Sequence, residues 1–253
     1  MMSNMKMRRN IIRAVVAVFL TGATFASNLC LAMMSAACFN FVSPMDIPSF
    51  ELDLDKVPRY DVDQRRSAAY AEKGWSDLNL YRTNQYSTNL DYAKFEFDCC
   101  WHYDRDNYNA FWGWGIIRTE EAKRESDPEK IEQRLLDAVH YLEKTAKMSS
   151  LPNSEQTNLR LDLSNALNGL GSFYLQAEKT DSARMYLEES FFMLETMLKS
   201  EPENCRIYEM LAFNAYYRKQ YELARTYWTK AESLGAVFAP EFLNDLENAL
   251  DGQ

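Results

Sequence analysis

The sequence predicts an all-α protein, an α-solenoid of about four helical hairpins closed by a C-terminal capping helix. Three observations lead there. In the C-terminal half, apolar residues recur every three to four positions, the period of a half-buried helix. Only 8 glycines and 7 prolines interrupt 253 residues, and no run of alternating β-branched residues suggests a strand. Alanines at 93, 138, 183 and 224 return at intervals of 45, 45 and 41, so one unit is repeated.

Taken in order, residues 1–37 read as an export signal or membrane anchor. Lys6, Arg8, Arg9 and Arg13 precede an uncharged stretch from Ala14 to Met45, with small residues around Ala23–Ala26 and Ala36–Ala37. Cleavage competes with retention, because the uncharged run exceeds the roughly 20 residues that span a bilayer. Ser35-Ala36-Ala37-Cys38 resembles the bacterial lipoprotein cleavage site, at which the cysteine is acylated, although Ser35 stands where leucine is expected. All three routes place the protein in the periplasm or cell envelope, the last two attached to a membrane through the N-terminal segment or acylated Cys38. Residues 38–62 carry Pro44, Pro48 and Pro58 among acids and read as an extended tether.

Residues 63–253 hold the repeats. The first places Tyr70, Gly74 and Trp75 on a helix to about Tyr81, a turn over Arg82–Thr88, and a second helix striped by Ala93, Phe97 and Cys100. The second begins at Asn107 with Phe111, Trp114 and Gly115. Glycine inside a helix costs about 1 kcal/mol relative to alanine, so Gly113 and Gly115 imply close approach of a neighbouring helix. After a turn over Arg118–Lys130, Asp127-Pro128 is a strong helix start, and Ile131, Leu135, Ala138, Leu142 and Ala146 follow on one face. The third repeat carries Leu159, Leu163, Leu167 and Leu170, then Ala183, Leu187, Leu194 and Leu198, ending near Pro202. The fourth has Ile207, Leu211 and Ala215, a tight turn at Arg218-Lys219-Gln220, then Tyr221, Ala224, Trp228 and Ala231. Phe242, Leu246 and Leu250 after Ala239-Pro240 make an apolar face opposite acids, as a terminal cap requires.

Charge and chemistry narrow the function. The net charge is −9, from 28 basic and 37 acidic residues. Loss of residues 1–37 removes four basic residues and no acid, leaving 24 against 37 and a net charge of −13. Such a chain is a poor ligand for nucleic acid, whose phosphates need cations. Cys99-Cys100-Trp101-His102 suggests metal, but adjacent helical cysteines diverge by about 100° and four convergent ligands are lacking. Cys100 instead fits a buried small-residue position. No nucleophile elbow, glycine-rich phosphate loop or zinc-protease motif occurs. The residues call for no catalytic centre and no cofactor.

Tyr208, Leu211, Ala212, Tyr221, Ala224, Trp228 and Ala231 together resemble a tetratricopeptide repeat, and Leu167, Leu170, Gly171, Tyr174, Ala183, Leu187 and Ser190 repeat the pattern one unit earlier. Ala215 and Ala236 depart from it. Phe97 to Gly115 looks like the joint between repeats in exported bacterial members, with Arg105 where proline is common. The resemblance implies a right-handed solenoid whose first helices line a concave surface that binds a protein or peptide. On that surface it places Trp112, Ile116 and Thr119; Asn165, Asn168, Ser172 and Gln176; and Arg206, Glu209, Phe213 and Tyr216. Trp112, Phe213 and Tyr216 would be the aromatic anchors; Ile116 would add apolar contact; Asn165, Asn168 and Arg206 would bond a peptide backbone or terminus. Two other roles remain open at this stage. One is a lipid-anchored accessory subunit or assembly factor of an outer-membrane complex. The other is an enzyme or carbohydrate-binding protein, which needs Trp112 in a closed aromatic cleft with paired carboxylates.

Overall fold

A computed structural model describes residues 64–252. The export segment and the tether lie outside them. The described residues are all-α. Helices α1 (Gln64–Asn84) and α2 (Ser87–Tyr103) form the first hairpin, α3 (Tyr108–Lys123) and α4 (Pro128–Ala146) the second. A 3-10 turn at Asn153–Glu155 leads into α5 (Gln156–Gln176) and α6 (Thr180–Ser200), and α7 (Cys205–Tyr217) and α8 (Tyr221–Ser233) make the fourth. The last helix is α9 (Pro240–Asp251). Each hairpin packs on the next, and the first helices α1, α3, α5 and α7 touch in series. No helix among the described residues is long and apolar enough to cross a membrane.

Small residues determine how closely the helices approach. Ala93, Ala138, Ala183 and Ala224 are all fully buried. Four positions on from each stands a large residue, Phe97, Leu142, Leu187 or Trp228, that fills the space opposite. A Cβ built on Gly115 would stand 2.5 Å from Leu142, and one on Gly171 2.5 Å from Leu187, so glycine admits the partner helix of the same hairpin. Gly113 serves the joint between hairpins, where a Cβ would lie 2.4 Å from the Phe97 ring. The predicted reason for two glycines within three residues is therefore correct, and they act on two different neighbours.

Local chemistry sets the boundaries. Asn107, Asp127 and Asn204 cap α3, α4 and α7, each accepting from the backbone N–H two residues on. Between α1 and α2 the structure departs from the sequence reading. α1 continues through Arg82 to Asn84, leaving only Gln85-Tyr86 as the turn. Gln85 takes a left-handed backbone (φ 58°) and its N–H closes on the Tyr81 carbonyl at 2.7 Å. Glu178 and Lys219 close the third and fourth hairpins with the same backbone. Cys100 is buried as expected; Ser67 Oγ donates to its carbonyl at 2.8 Å, and burial pushes the thiol up to about 11.

Candidate functional site

Between the first helices lies a groove of about 720 Å³. α5 forms its floor, since Asp162, Asn165, Gly169, Ser172, Phe173 and Gln176 recur at steps of one to four residues along one stripe of the helix. α7 forms one wall with Arg206, Glu209, Met210, Phe213 and Tyr217. Thr119, Glu120 and Lys123 of α3, with Ile131 and Leu135 of α4, form the other, and Arg82 of α1 stands at one end. Ile131, Leu135 and Phe173 belong to one apolar cluster, so the hydrophobic lining gathers toward the C-terminal end of α5. The charged residues Arg82, Asp162, Arg206 and Glu209 gather toward its N-terminal half.

The electrostatics differ from residue to residue. Asp162 Oδ2 accepts from the Trp112 indole N–H at 2.8 Å, and its Oδ1 lies 3.7 Å from Arg82. Burial raises the Asp162 carboxyl above its ordinary range, with Arg82 partly offsetting it. Burial likewise raises Glu209, offset in part by Arg206. Glu120 pairs with Lys123 at 2.8 Å and Glu125 with Arg134 at 3.0 Å. The Tyr217 hydroxyl is pushed up by burial, with the Ser172 side chain pulling it back.

Of the residues assigned to the binding surface, Asn165, Asn168, Arg206 and Phe213 line the groove, as do Thr119, Ser172, Gln176 and Glu209. Three residues do not. Trp112 is 5 % exposed, edge-on to Trp75 at 5.1 Å, and its indole supports Asp162 from beneath. Ile116 is 4 % exposed and belongs to the core. Tyr216 packs against Phe242 of α9 at 5.4 Å and Tyr221 at 5.7 Å, because the cap covers that face. Asn168 is engaged by its own fold: Oδ1 accepts from Asn214 at 2.8 Å and Nδ2 donates to the Met210 carbonyl at 3.4 Å. Asn165 makes no hydrogen bond among the described residues.

Sequence reasoning missed Asp162, Arg82, Phe173 and Tyr217. Asp162 was within reach, one step earlier on the stripe of Asn165 and Ser172. Arg82 was out of reach because it was expected in a turn. Among the described residues Trp112 offers no open face for a sugar platform, since its ring is covered by Trp75 and Tyr108. Among the described residues no group of three or more histidine, cysteine or carboxylate side chains is placed to hold a metal ion. Cys99, Cys100 and Cys205 form no disulfide among the described residues.

No protein-family model and no curated protein matches the chain. A solved structure of PilF from Pseudomonas aeruginosa is similar. It is 20 % identical, with 69 % of this chain and 78 % of that chain covered and a TM-score of 0.34. That likeness is too loose to carry a functional reading. The stack of hairpins and the groove stand on their own geometry.

Proposed function

We propose that this chain is an exported tetratricopeptide-like scaffold that holds an extended protein or peptide segment in the groove between α3, α5 and α7. One observation carries the reading. Asn165 and Glu209, which make no hydrogen bond or ion pair within 4 Å among the described residues, line the same groove as a half-buried aromatic, Phe213. An extended segment needs donors and acceptors for its backbone and a pocket for alternate side chains, and a mixed polar and aromatic channel offers both. The scaffold would act in the periplasm or cell envelope, with residues 1–37 directing export. Ser35-Ala36-Ala37-Cys38 favours a membrane-attached version of the same role, as an accessory subunit of an outer-membrane complex. Mass spectrometry of the purified mature N-terminus separates the cases, since an acylated Cys38 supports attachment and an unmodified cleaved terminus excludes it.

Site-specific photo-crosslinking in cells tests the groove. A photoreactive residue at Asn165 or Arg206 is expected to trap a discrete partner, while one at Phe192, 66 % exposed on α6 and outside the groove, is not. Adducts from Phe192 equal to those from Asn165 would overturn the assignment.

A further inference from the structure

The lining of the groove favours one ligand chemistry. We infer that it takes a segment presenting a lysine or arginine toward Asp162 and Glu209 and an apolar side chain toward Phe173 and Phe213. This rests on the groove being the ligand site.

The argument begins with how the charges are distributed. The cations sit outward: the Arg82 side chain is 44 % exposed and Lys123 54 %, and Arg206 is exposed. The carboxylates sit inward, with the Asp162 side chain 14 % exposed and Glu120 15 %. Lys123 satisfies Glu120, and Arg134 satisfies Glu125. Asp162 has the neutral Trp112 N–H at 2.8 Å, a longer contact to the solvated Arg82 at 3.7 Å, and the charge of Arg206 beyond ion-pair distance. Glu209 makes no hydrogen bond or ion pair among the described residues. A partly desolvated carboxylate without a close counter-ion is a standing cost that an incoming ammonium or guanidinium removes. The inward acids would repel an acidic ligand, so the same feature selects against it. The net charge of −9 acts in the same direction at long range, favouring encounter with a cationic partner.

The spacing follows from the floor and one wall. Asp162 and Phe173 are eleven residues apart on α5, about 16 Å along a helix at 1.5 Å per residue. An extended chain rises about 3.3 Å per residue. Glu209 and Phe213 on α7 are four residues apart, about 6 Å by the same rise, so the basic and apolar side chains of the ligand should lie between about two and five residues apart, and not adjacent.

Fluorescence anisotropy with three labelled ten-residue peptides tests this on the full mature chain. One carries lysine and phenylalanine five residues apart, one has glutamate for the lysine, and one brings lysine and phenylalanine together. The first should bind at least tenfold tighter than the other two, more weakly as salt rises. Glu209→Gln should weaken it about tenfold, and Glu209→Lys should turn preference to the glutamate peptide, a gain that misfolding cannot produce. A glutamate peptide that binds as well as the lysine peptide overturns the inference. So does a Glu209→Gln affinity within twofold of the parent, or no binding of any peptide at millimolar concentration. Groove crosslinks at Asn165 without lysine preference would leave the scaffold reading standing and remove only this one; loss of both results removes both.

Discussion

Trp112 shows how one residue can be assigned to a surface and belong to the interior. Its ring lies against Trp75, and its N–H holds Asp162 in place from below. Trp112→Ala should therefore behave as a core truncation, costing about 3–5 kcal/mol in a urea melt; an unchanged melting midpoint with lost binding would restore it as a surface anchor. Trp75 and Trp114 follow the same pattern, donating at 2.8 Å to Asn109 and Asp98. Asp98 makes a pH prediction possible. Burial raises its carboxyl to about 6, with the Trp114 N–H and then Lys94 and Arg118 pulling it back. The folded state thus holds the proton more tightly than the unfolded chain. Its contribution to stability is present below the ordinary value of 3.8 and is lost as pH rises from there to about 6. Asp98→Asn keeps an oxygen acceptor for Trp114 and discards the buried charge. Relative to the parent, its stability should rise between pH 4 and 6 and then level off, as read by urea melts at unit steps. A constant difference across that range would show that Asp98 is not the titrating group.

At the scale of elements, α9 is the most informative. Phe242 lies 4.5 Å from Phe213 and 5.4 Å from Tyr216, and Leu246 is fully buried against Ala215 and Ala224. The cap therefore closes the last hairpin and steadies one wall of the groove. Truncation after Ala239 would bare Tyr216 and Phe242's side of Phe213. The truncated chain is expected to melt earlier and to bind a hydrophobic dye such as ANS; an unaltered melt without dye binding would make the helix dispensable. Helix type and order were legible throughout, because each stripe is long and the starts of α3, α4, α7 and α9 are marked by Asn, Asp or Pro. The α1–α2 turn was not legible. Arg82, Thr83 and Asn84 are polar without being helix breakers, and the left-handed backbone that ends α1 falls on Gln85, a residue that gives no local warning of it.

At the scale of the molecule, serial stacking brings side chains of α1, α3, α5 and α7, at least 30 residues apart from one helix to the next, to one groove. Asn214 ties the first helices together: its Nδ2 donates to Asn168 of α5 and to the Leu187 carbonyl of α6, each at 2.8 Å. Binding predictions belong at this scale, since no single hairpin owns the groove. The crosslinking contrast between Asn165 and Phe192 tests its location, and the lysine–phenylalanine peptide tests its charge.

Periodicity by itself determined the helices, their pairing into hairpins and the residues that let them close, because a buried stripe and a small residue opposite a large one are local requirements. The resemblance to a tetratricopeptide repeat, and not periodicity, pointed to Asn165, Asn168, Ser172 and Gln176 of α5, which line the groove. Only the tertiary structure decided which aromatics face the groove. Whether Trp112 or Phe213 meets solvent depends on what the neighbouring hairpin and the cap lay over it, and that covering comes from residues far away in the chain.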